Sequence, residues 1–422
     1  MLQLDCDCNY QIKMKVLFVG DVVNKEMEKA NPVISAAANN FQLGFLSALS
    51  TRCQVDVLTE ISRAAWPGSK VLREKHYSAD LFEDLKITTI PYINIRFIKG
   101  ITIMISIARY IRRFFRGNKG NDCYIISYNG NMPFSVPILA LRKVFHYKYI
   151  CLVVDPPLYQ GTTKRTGFFY GLLYKAMARS FHKAALKCDE CVVLNAYYAK
   201  KYLHREDFFV LDCGVSVPEE KNEKTENVDI ANDFFEQYSP RKHIVFTGTL
   251  HEHSGILRFI DMFLKLKNEF FDLHIWGKGI FEEDIRRIAS ETDCVFYHGY
   301  LPNDEIRQIQ RKADFLLCPN SIEHPINKVA FPSKIQEYML SGIPVIATKV
   351  NGLGKDYYPH LYLYDDTFSG LKGLMDSICN SNEQTWKLKG KAAREFIISH
   401  KSWPIQVDKM LEYLKHEKLK KG

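Results

Sequence analysis

Short, nearly continuous apolar runs recur along this chain, separated by stretches with helical spacing. KVLFVGD (15–21), VDVLTE (55–60), ITTIPYI (87–93), DCYIISYN (122–129), KYICLVVD (148–155), ECVVLN (190–195) and FFVLDCGV (208–215) occupy the first half. Runs of this length and composition predict strands buried on both faces of a parallel sheet. The helical pattern FQLGFLSALS, entered through residues 36–40, joins the first two runs as a βαβ opening and argues for a doubly wound sheet. Asn129-Gly130-Asn131 and Asp155-Pro156-Pro157 fall where strands end, on the carboxyl edge at which such sheets bind ligands.

Residues 216–242 are mostly charged and polar and read as a linker. A second alternation follows, with strands expected at HIVFTGTL (243–250), FDLHIWGK (271–278), DCVFYHGY (293–300), ADFLLCPN (313–320), PVIATK (344–349) and LYLYDD (361–366). The expected organisation is an α/β chain of two Rossmann-like doubly wound domains. Residues 1–215 form the first and 243–400 the second, and a C-terminal helix, 401–422, returns toward the first. At 422 residues the chain is too long for one ordinary core, and two domains of about 200 residues fit that length.

Composition removes several classes. With 46% hydrophobic and 25% charged residues the chain is globular rather than disordered. Eleven cysteines, an odd number spread over both halves, do not form a secreted disulfide framework, so a reducing cytoplasm is expected. Cys188 and Cys191 form a lone CxxC without a second zinc-spaced pair and read as core thiols. The leader MLQLDCDCNYQIK, which carries Cys6 and Cys8, has no apolar core and does not read as a signal peptide. No run of eighteen uncharged apolar residues predicts a membrane span. GxGxxG is absent, because Gly20 stands alone after the first strand, which disfavours a nicotinamide enzyme. A net charge of +9 favours acidic partners, but no nucleic-acid recognition module is present.

The most informative stretch is FPSKIQEYMLSGIPVIAT, residues 331–348. Ser333 with Gln336 reads as a capping box that starts a helix near Lys334; Gly342 ends it, and Val345 to Thr348 form a buried strand. The amino end of such a helix suits a phosphate, with Lys334 in its first turn, while Glu337 could accept hydrogen bonds from two sugar hydroxyls.

Here the chain resembles the retaining glycosyltransferases of the GT-B fold, of the large nucleotide-sugar-dependent family 4 type found in bacterial surface-polysaccharide assembly. Pro332, Ser333, Lys334, Glu337, Tyr338, Met339, Gly342, Pro344, Val345, Ile346 and Ala347 match that family's donor-binding helix and the strand after it. The resemblance implies two Rossmann-like domains with the active site between them. Its other landmarks are Gly248, the Gly277-Lys278-Gly279 turn, and Gly299-Tyr300-Leu301, where the family seats the nucleotide base. It implies transfer with retention, in which the acceptor hydroxyl attacks the face the nucleotide leaves. Lys334 and the helix N–H groups would stabilise the departing diphosphate, without a carboxylate nucleophile. It also implies no metal or other cofactor. The string Asp5-Cys6-Asp7 has the form of a metal motif but lies in the leader.

The chain departs from that family at three places. Val329 stands where many members have a second glutamate, and Glu323 is the candidate substitute. Thr249 and Ser254 replace the usual Arg and Lys that grip the diphosphate, leaving Lys334, the helix end, Lys278, His251 and His253 to neutralise charge. Asp155 stands where relatives place a histidine near the anomeric carbon, so it is a candidate catalytic group or a strand-end cap.

Two stretches in the first half are basic and aromatic without a carboxylate: residues 96–119, with seven Lys or Arg, and residues 163–183, with five. Such mixtures suit either an anionic bilayer surface, with Arg112, Arg113 and Arg116 facing it, or solvated helices on a soluble domain. The expected partners are therefore a nucleotide sugar, UDP-linked by default, and a saccharide or polyprenyl-linked acceptor, with peripheral contact on the inner face of the cell membrane. The alternatives are a nucleotide-sugar epimerase of the same fold and a non-catalytic sugar-nucleotide-binding protein.

Overall fold

In a computed structural model, the structure describes residues 14–31, 33–117, 123–157, 168–217, 234–235, 237–238 and 240–421. The chain divides into two compact units, residues 1–214 with 403–422, and residues 215–402. The leader with Asp5, Cys6, Asp7 and Cys8, residues 118–119 of the first basic stretch, 163–167 of the second and 218–233 of the linker lie outside the described residues.

The first unit holds β1 (Lys15–Gly20), β2 (Gln54–Thr59), β3 (Arg73–Glu74), β4 (Ser78–Phe82), β5 (Leu85–Thr89), β6 (Tyr92–Ile93), β7 (Cys123–Tyr128), β8 (Lys148–Val153), β9 (Glu190–Val193) and β10 (Phe209–Val210). Its main sheet runs β10-β9-β8-β7-β1-β2-β5-β4. Neighbours are parallel except β4 and β5, an antiparallel hairpin that closes one edge. The chain leaves β1 toward β2 and later returns to its other side at β7, so the carboxyl ends of β1 and β7 form a topological switch point. The C-terminal helix Trp403–Lys421 belongs to this unit, and its Trp403 meets Phe41 edge-on at 4.9 Å. A Cβ at Gly44 or Gly214 would collide with the Trp403 indole.

Two expected strands are corrected. The run 87–93 begins earlier, at Leu85, and breaks after Thr89: Pro91 lacks an N–H, and Tyr92–Ile93 pairs with β3 in a separate ribbon. The Thr89 hydroxyl, bonded to Lys75 O at 2.9 Å and Tyr77 O at 3.0 Å, ties the end of β5 to the preceding loop. From 208–215 only Phe209–Val210 is strand, and Val215 instead bridges Ser402.

The second unit is a wholly parallel sheet of β11 (Lys242–Thr249), β12 (Phe271–Lys278), β13 (Val295–Tyr297), β14 (Phe315–Cys318), β15 (Val345–Thr348) and β16 (Tyr362–Tyr364), in the order β13-β12-β11-β14-β15-β16. Its switch point lies between β11 and β14. One face is dry, with Ile244, Phe246, Leu273, Ile275 and Phe315 packed on Phe259, Phe263 and Trp386. This is the mixed α/β, Rossmann-like class expected from the sequence.

Candidate active site

The carboxyl edge of the second sheet is built for close backbone approach. Gly248, next to last in β11, is in register with Gly277 of β12, whose N–H donates to Gly299 O at 2.7 Å. A Cβ at Gly277 would enter the Gly248 carbonyl oxygen, and one at Gly279 the Leu250 carbonyl oxygen. These positions tolerate only hydrogen, which keeps three loops in contact at the strand ends.

The helix Ser333–Ser341 opens beside them, but without the expected capping box. Its N-cap is Pro332; Ser333 is exposed and makes no capping bond, and buried Gln336 instead donates from Nε2 to Tyr357 Oη at 2.7 Å. The tertiary partner outcompetes the local one. Gly342, with φ of 80°, ends the helix as expected.

Lys334 Nζ reaches back from this helix to donate to Thr247 O at 2.8 Å. Burial lowers its pKa, while the Glu337 charge opposes that shift. Tyr338 fixes the same residue from beneath: its hydroxyl lies 2.8 Å from Thr247 Oγ1, accepts from Thr247 N at 3.2 Å and donates to Thr247 O at 3.0 Å. Gln310 Nε2 donates to Thr247 Oγ1 at 2.8 Å. Glu337, exposed one turn beyond Lys334, leaves the helix free to offer a carboxylate outward. The helix thus brings a cation, a carboxylate and a strand end together.

The loop after β11 supplies imidazoles where basic residues were missing. Thr249 Oγ1 lies 3.2 Å from His253 Nε2, and the His253 ring is 5.9 Å from both His251 and His324. His324 was not foreseen, because it comes from a different loop. Asn327 holds the two loops together, donating to His253 O at 2.7 Å and Ser321 O at 2.8 Å. Burial, with the neighbouring His324 and His251, lowers the His253 pKa. Glu323 is exposed and pairs with Lys328 at 3.1 Å, and Val329 is buried in the short helix Pro325–Val329.

On the other side of the glycines, Lys278 Nζ sits 4.5 Å from the centroid of the exposed Tyr300 ring. Leu301 borders a cavity of about 280 Å³ with Phe234, Trp276, His298, Glu305, Gln308 and Ile309. His298 stacks on Trp276 at 4.2 Å and begins a row of imidazoles that sequence reasoning missed. His298 Nε2 lies 3.0 Å from His274 Nδ1, and His274 Nε2 lies 3.1 Å from His243 Nδ1. Burial first, then neighbouring rings, takes His274 to about 2, and burial takes His298 to about 4, so the row is neutral at physiological pH. The donor atoms of His243, Asp272 and His274 lie within 4.8 Å of one another, a set able to hold a metal ion among the described residues. Asp272 is already paired with Arg241 at 3.2 Å. His243 lies six residues up β11 from Thr249, about 20 Å along the strand.

At the switch point of the first sheet, Asp155 accepts from Tyr128 Oη at 3.1 Å, and its N–H donates to Asn129 Oδ1 at 3.0 Å. Burial raises the pKa of its carboxyl, against side-chain hydrogen bonds from Tyr128 and Asn129. Asp21, which follows β1, was not singled out from the sequence. Burial raises it to about 6, helped by Glu60 and Asp155 and opposed by Gln42, which donates to it at 2.6 Å. Arg112, Arg113 and Arg116 are exposed on the helix Ile98–Gly117, and Arg113 also lines a second cavity. No helix among the described residues is long and apolar enough to cross a membrane. Cys188 and Cys191 are buried free thiols.

Residues 241–360, which contain every residue expected from the sequence to bind the donor, match the family described as Glycosyl transferases group 1. A search of curated proteins found no match. Among solved structures, the chain resembles sucrose-phosphate synthase from Thermosynechococcus elongatus with a TM-score of 0.60 and 15% identity, over 97% of this chain and 100% of that one. The catalytic domain of starch synthase IV from Arabidopsis thaliana, bound to ADP and acarbose, gives 0.65 and 10% over 96% and 99%. Anabaena HepE in complex with UDP gives 0.59 and 15% over 96% and 100%. The chain has the GT-B fold, and its group 1 domain match together with that fold supports a glycosyltransferase.

Proposed function

We propose that this protein transfers a sugar from a UDP-linked donor to a saccharide or polyprenyl-linked saccharide acceptor, with retention, in polysaccharide assembly at the inner face of the cell membrane. The observation that carries the donor half is the Lys334–Glu337 helix face held against Thr247 at the carboxyl edge of the second sheet. The base lies at Tyr300 and Leu301, with Lys278 beside it. The diphosphate lies against Lys334, the start of its helix and the loop histidines, and Glu337 receives sugar hydroxyls. Solved structures of HepE with UDP and UDP-glucose support UDP as the nucleotide class.

In the reaction the bond from the anomeric carbon to the diphosphate oxygen breaks, and the bond to the acceptor oxygen forms on the same face. The acceptor proton passes to the departing diphosphate. Lys334 stabilises the charge that develops there, the kind of contact worth about 3 kcal/mol of barrier, or a hundredfold in rate. Because Lys334 and the helix N–H groups already supply positive charge, the expected reaction continues in EDTA; an absolute requirement for manganese or magnesium would contradict this. A screen of nucleotide sugars for slow hydrolysis by the purified protein tests the donor half without knowledge of the acceptor. Hydrolysis of a UDP-sugar is expected, and release confined to an ADP- or GDP-sugar would reassign the nucleotide.

Epimerisation of the nucleotide sugar is a second reading, favoured by the raised carboxyls of Asp21 and Asp155 at one sheet edge. The products separate the two: a donor incubated alone gives free sugar and nucleotide under the first reading and an epimeric nucleotide sugar under the second.

A further inference from the structure

The helix Ile98–Gly117 buries Ile103, Ile107, Ile111, Phe114 and Phe115, yet a second apolar stripe on it points outward. Phe97 is 66% exposed, Ile101 53% and Ile105 45%, with Ile98 also exposed. Ile98, Ile101 and Ile105 share one helix face, with Phe97 in the turn just before the helix, and Arg109, Arg112 and Arg116 continue that face toward the carboxyl end. Trp66, Leu72 and Ile93, all exposed, are held beside the apolar half. Trp66 N donates to Asn94 O at 2.9 Å, Asn94 N to Leu72 O at 2.8 Å, and Ile93 N to Thr102 Oγ1 of the helix at 3.1 Å.

Beside the basic half lies a cavity of about 170 Å³, lined by Arg109, Arg113, Tyr110, His76 and Ser106 over the ends of β2 and β5. Of the neighbouring carboxylates, Glu60 is paired with Lys99 at 2.8 Å and Glu74 with Arg63 at 2.8 Å, while Asp56 of β2 stands near Tyr110. From Ile98 to Arg113 the helix rises about 22 Å. One end therefore offers apolar surface and the other a cationic recess.

We infer that this face docks on an anionic membrane, with lipid phosphates at Arg109, Arg112, Arg113 and Arg116 and Trp66, Leu72, Phe97, Ile101 and Ile105 inserted among the acyl chains. The exposed aromatic and aliphatic groups match the depth of the interface, and the carboxylate-free arginines match its charge. This deepens the reading of a membrane-borne acceptor, but it is measured without substrate, so it can fail while sugar transfer stands.

The test is co-sedimentation of the full-length protein with phosphatidylcholine vesicles, with and without phosphatidylglycerol, at low and half-molar salt. Binding is expected only with phosphatidylglycerol at low salt. Ile101→Ser with Ile105→Ser, and separately Arg109→Gln with Arg113→Gln, are each expected to weaken it at least about tenfold, whereas Lys391→Gln on the second unit leaves it unchanged. All four changed residues of the double variants are exposed, so loss of the fold does not explain a loss of binding. Absence of binding at low salt, or binding indifferent to both double variants, overturns the proposal. So does sensitivity to the arginine pair alone with full displacement by inorganic pyrophosphate, which makes the recess a site for a soluble anion.

Discussion

Lys334 Nζ donates a 2.8 Å hydrogen bond to the carbonyl oxygen of Thr247, which links the helix that would carry the donor's diphosphate to the last turn of β11. The cation is fixed before any ligand arrives, so little side-chain entropy is lost when a phosphate replaces or joins that carbonyl.

Tyr338→Phe tests how that placement is maintained. The hydroxyl touches the amide, hydroxyl and carbonyl of Thr247, all within a buried network. Its removal is expected to lower stability by about 1–2 kcal/mol in urea titration and to lower kcat/KM less than Lys334→Ala does. Unchanged stability would show that Gln310 and Lys334 secure Thr247 without the Tyr338 hydroxyl.

Gly277→Ala tests the close approach of the strand ends. The added Cβ meets the Gly248 carbonyl, so the loops must move apart, at a cost of about 1–3 kcal/mol. Nucleotide affinity is expected to fall in calorimetry while the circular dichroism spectrum is kept. Wild-type affinity would mean that the donor does not rest on these loops.

Much of the second unit was legible because its strands are short and mostly apolar: FDLHIWGK is β12 to the residue. Features that depend on partners distant in sequence were not. The Ser333–Gln336 pair has the form of a capping box, but Tyr357 lies 21 residues on and takes the Gln336 amide. The β4–β5 hairpin mixes exposed Ser78, Asp80 and Lys86 with its few apolar residues, so no clear period marks it. The imidazole row joins positions 55 residues apart and exists only through the pairing of β11, β12 and β13. Its one trace in the sequence is a set of histidines inside runs that otherwise read as buried strand. At the candidate site, the Lys334–Glu337 helix was readable, whereas His324 and Asp21 needed the fold.

Stability should depend on pH through that row. The folded pKa of His298 is held at about 4, below the ordinary 6.5, so between those values the unfolded chain binds more protons. Stability therefore falls as pH drops from about 6.5 toward 4, by about 2 kcal/mol per such imidazole at pH 5. His298→Phe is expected to flatten the decline in urea midpoint between pH 7 and pH 5. An equally steep decline would place the acid sensitivity in other groups.

The most direct measurement is UDP release from a UDP-sugar by the purified wild-type protein, compared with Lys334→Ala and Glu337→Ala under the same conditions. The expected result is measurable turnover by the wild type and a loss of at least about a hundredfold in each variant, with both variants folded. Near-normal turnover in both would contradict the assignment of this helix to the sugar donor.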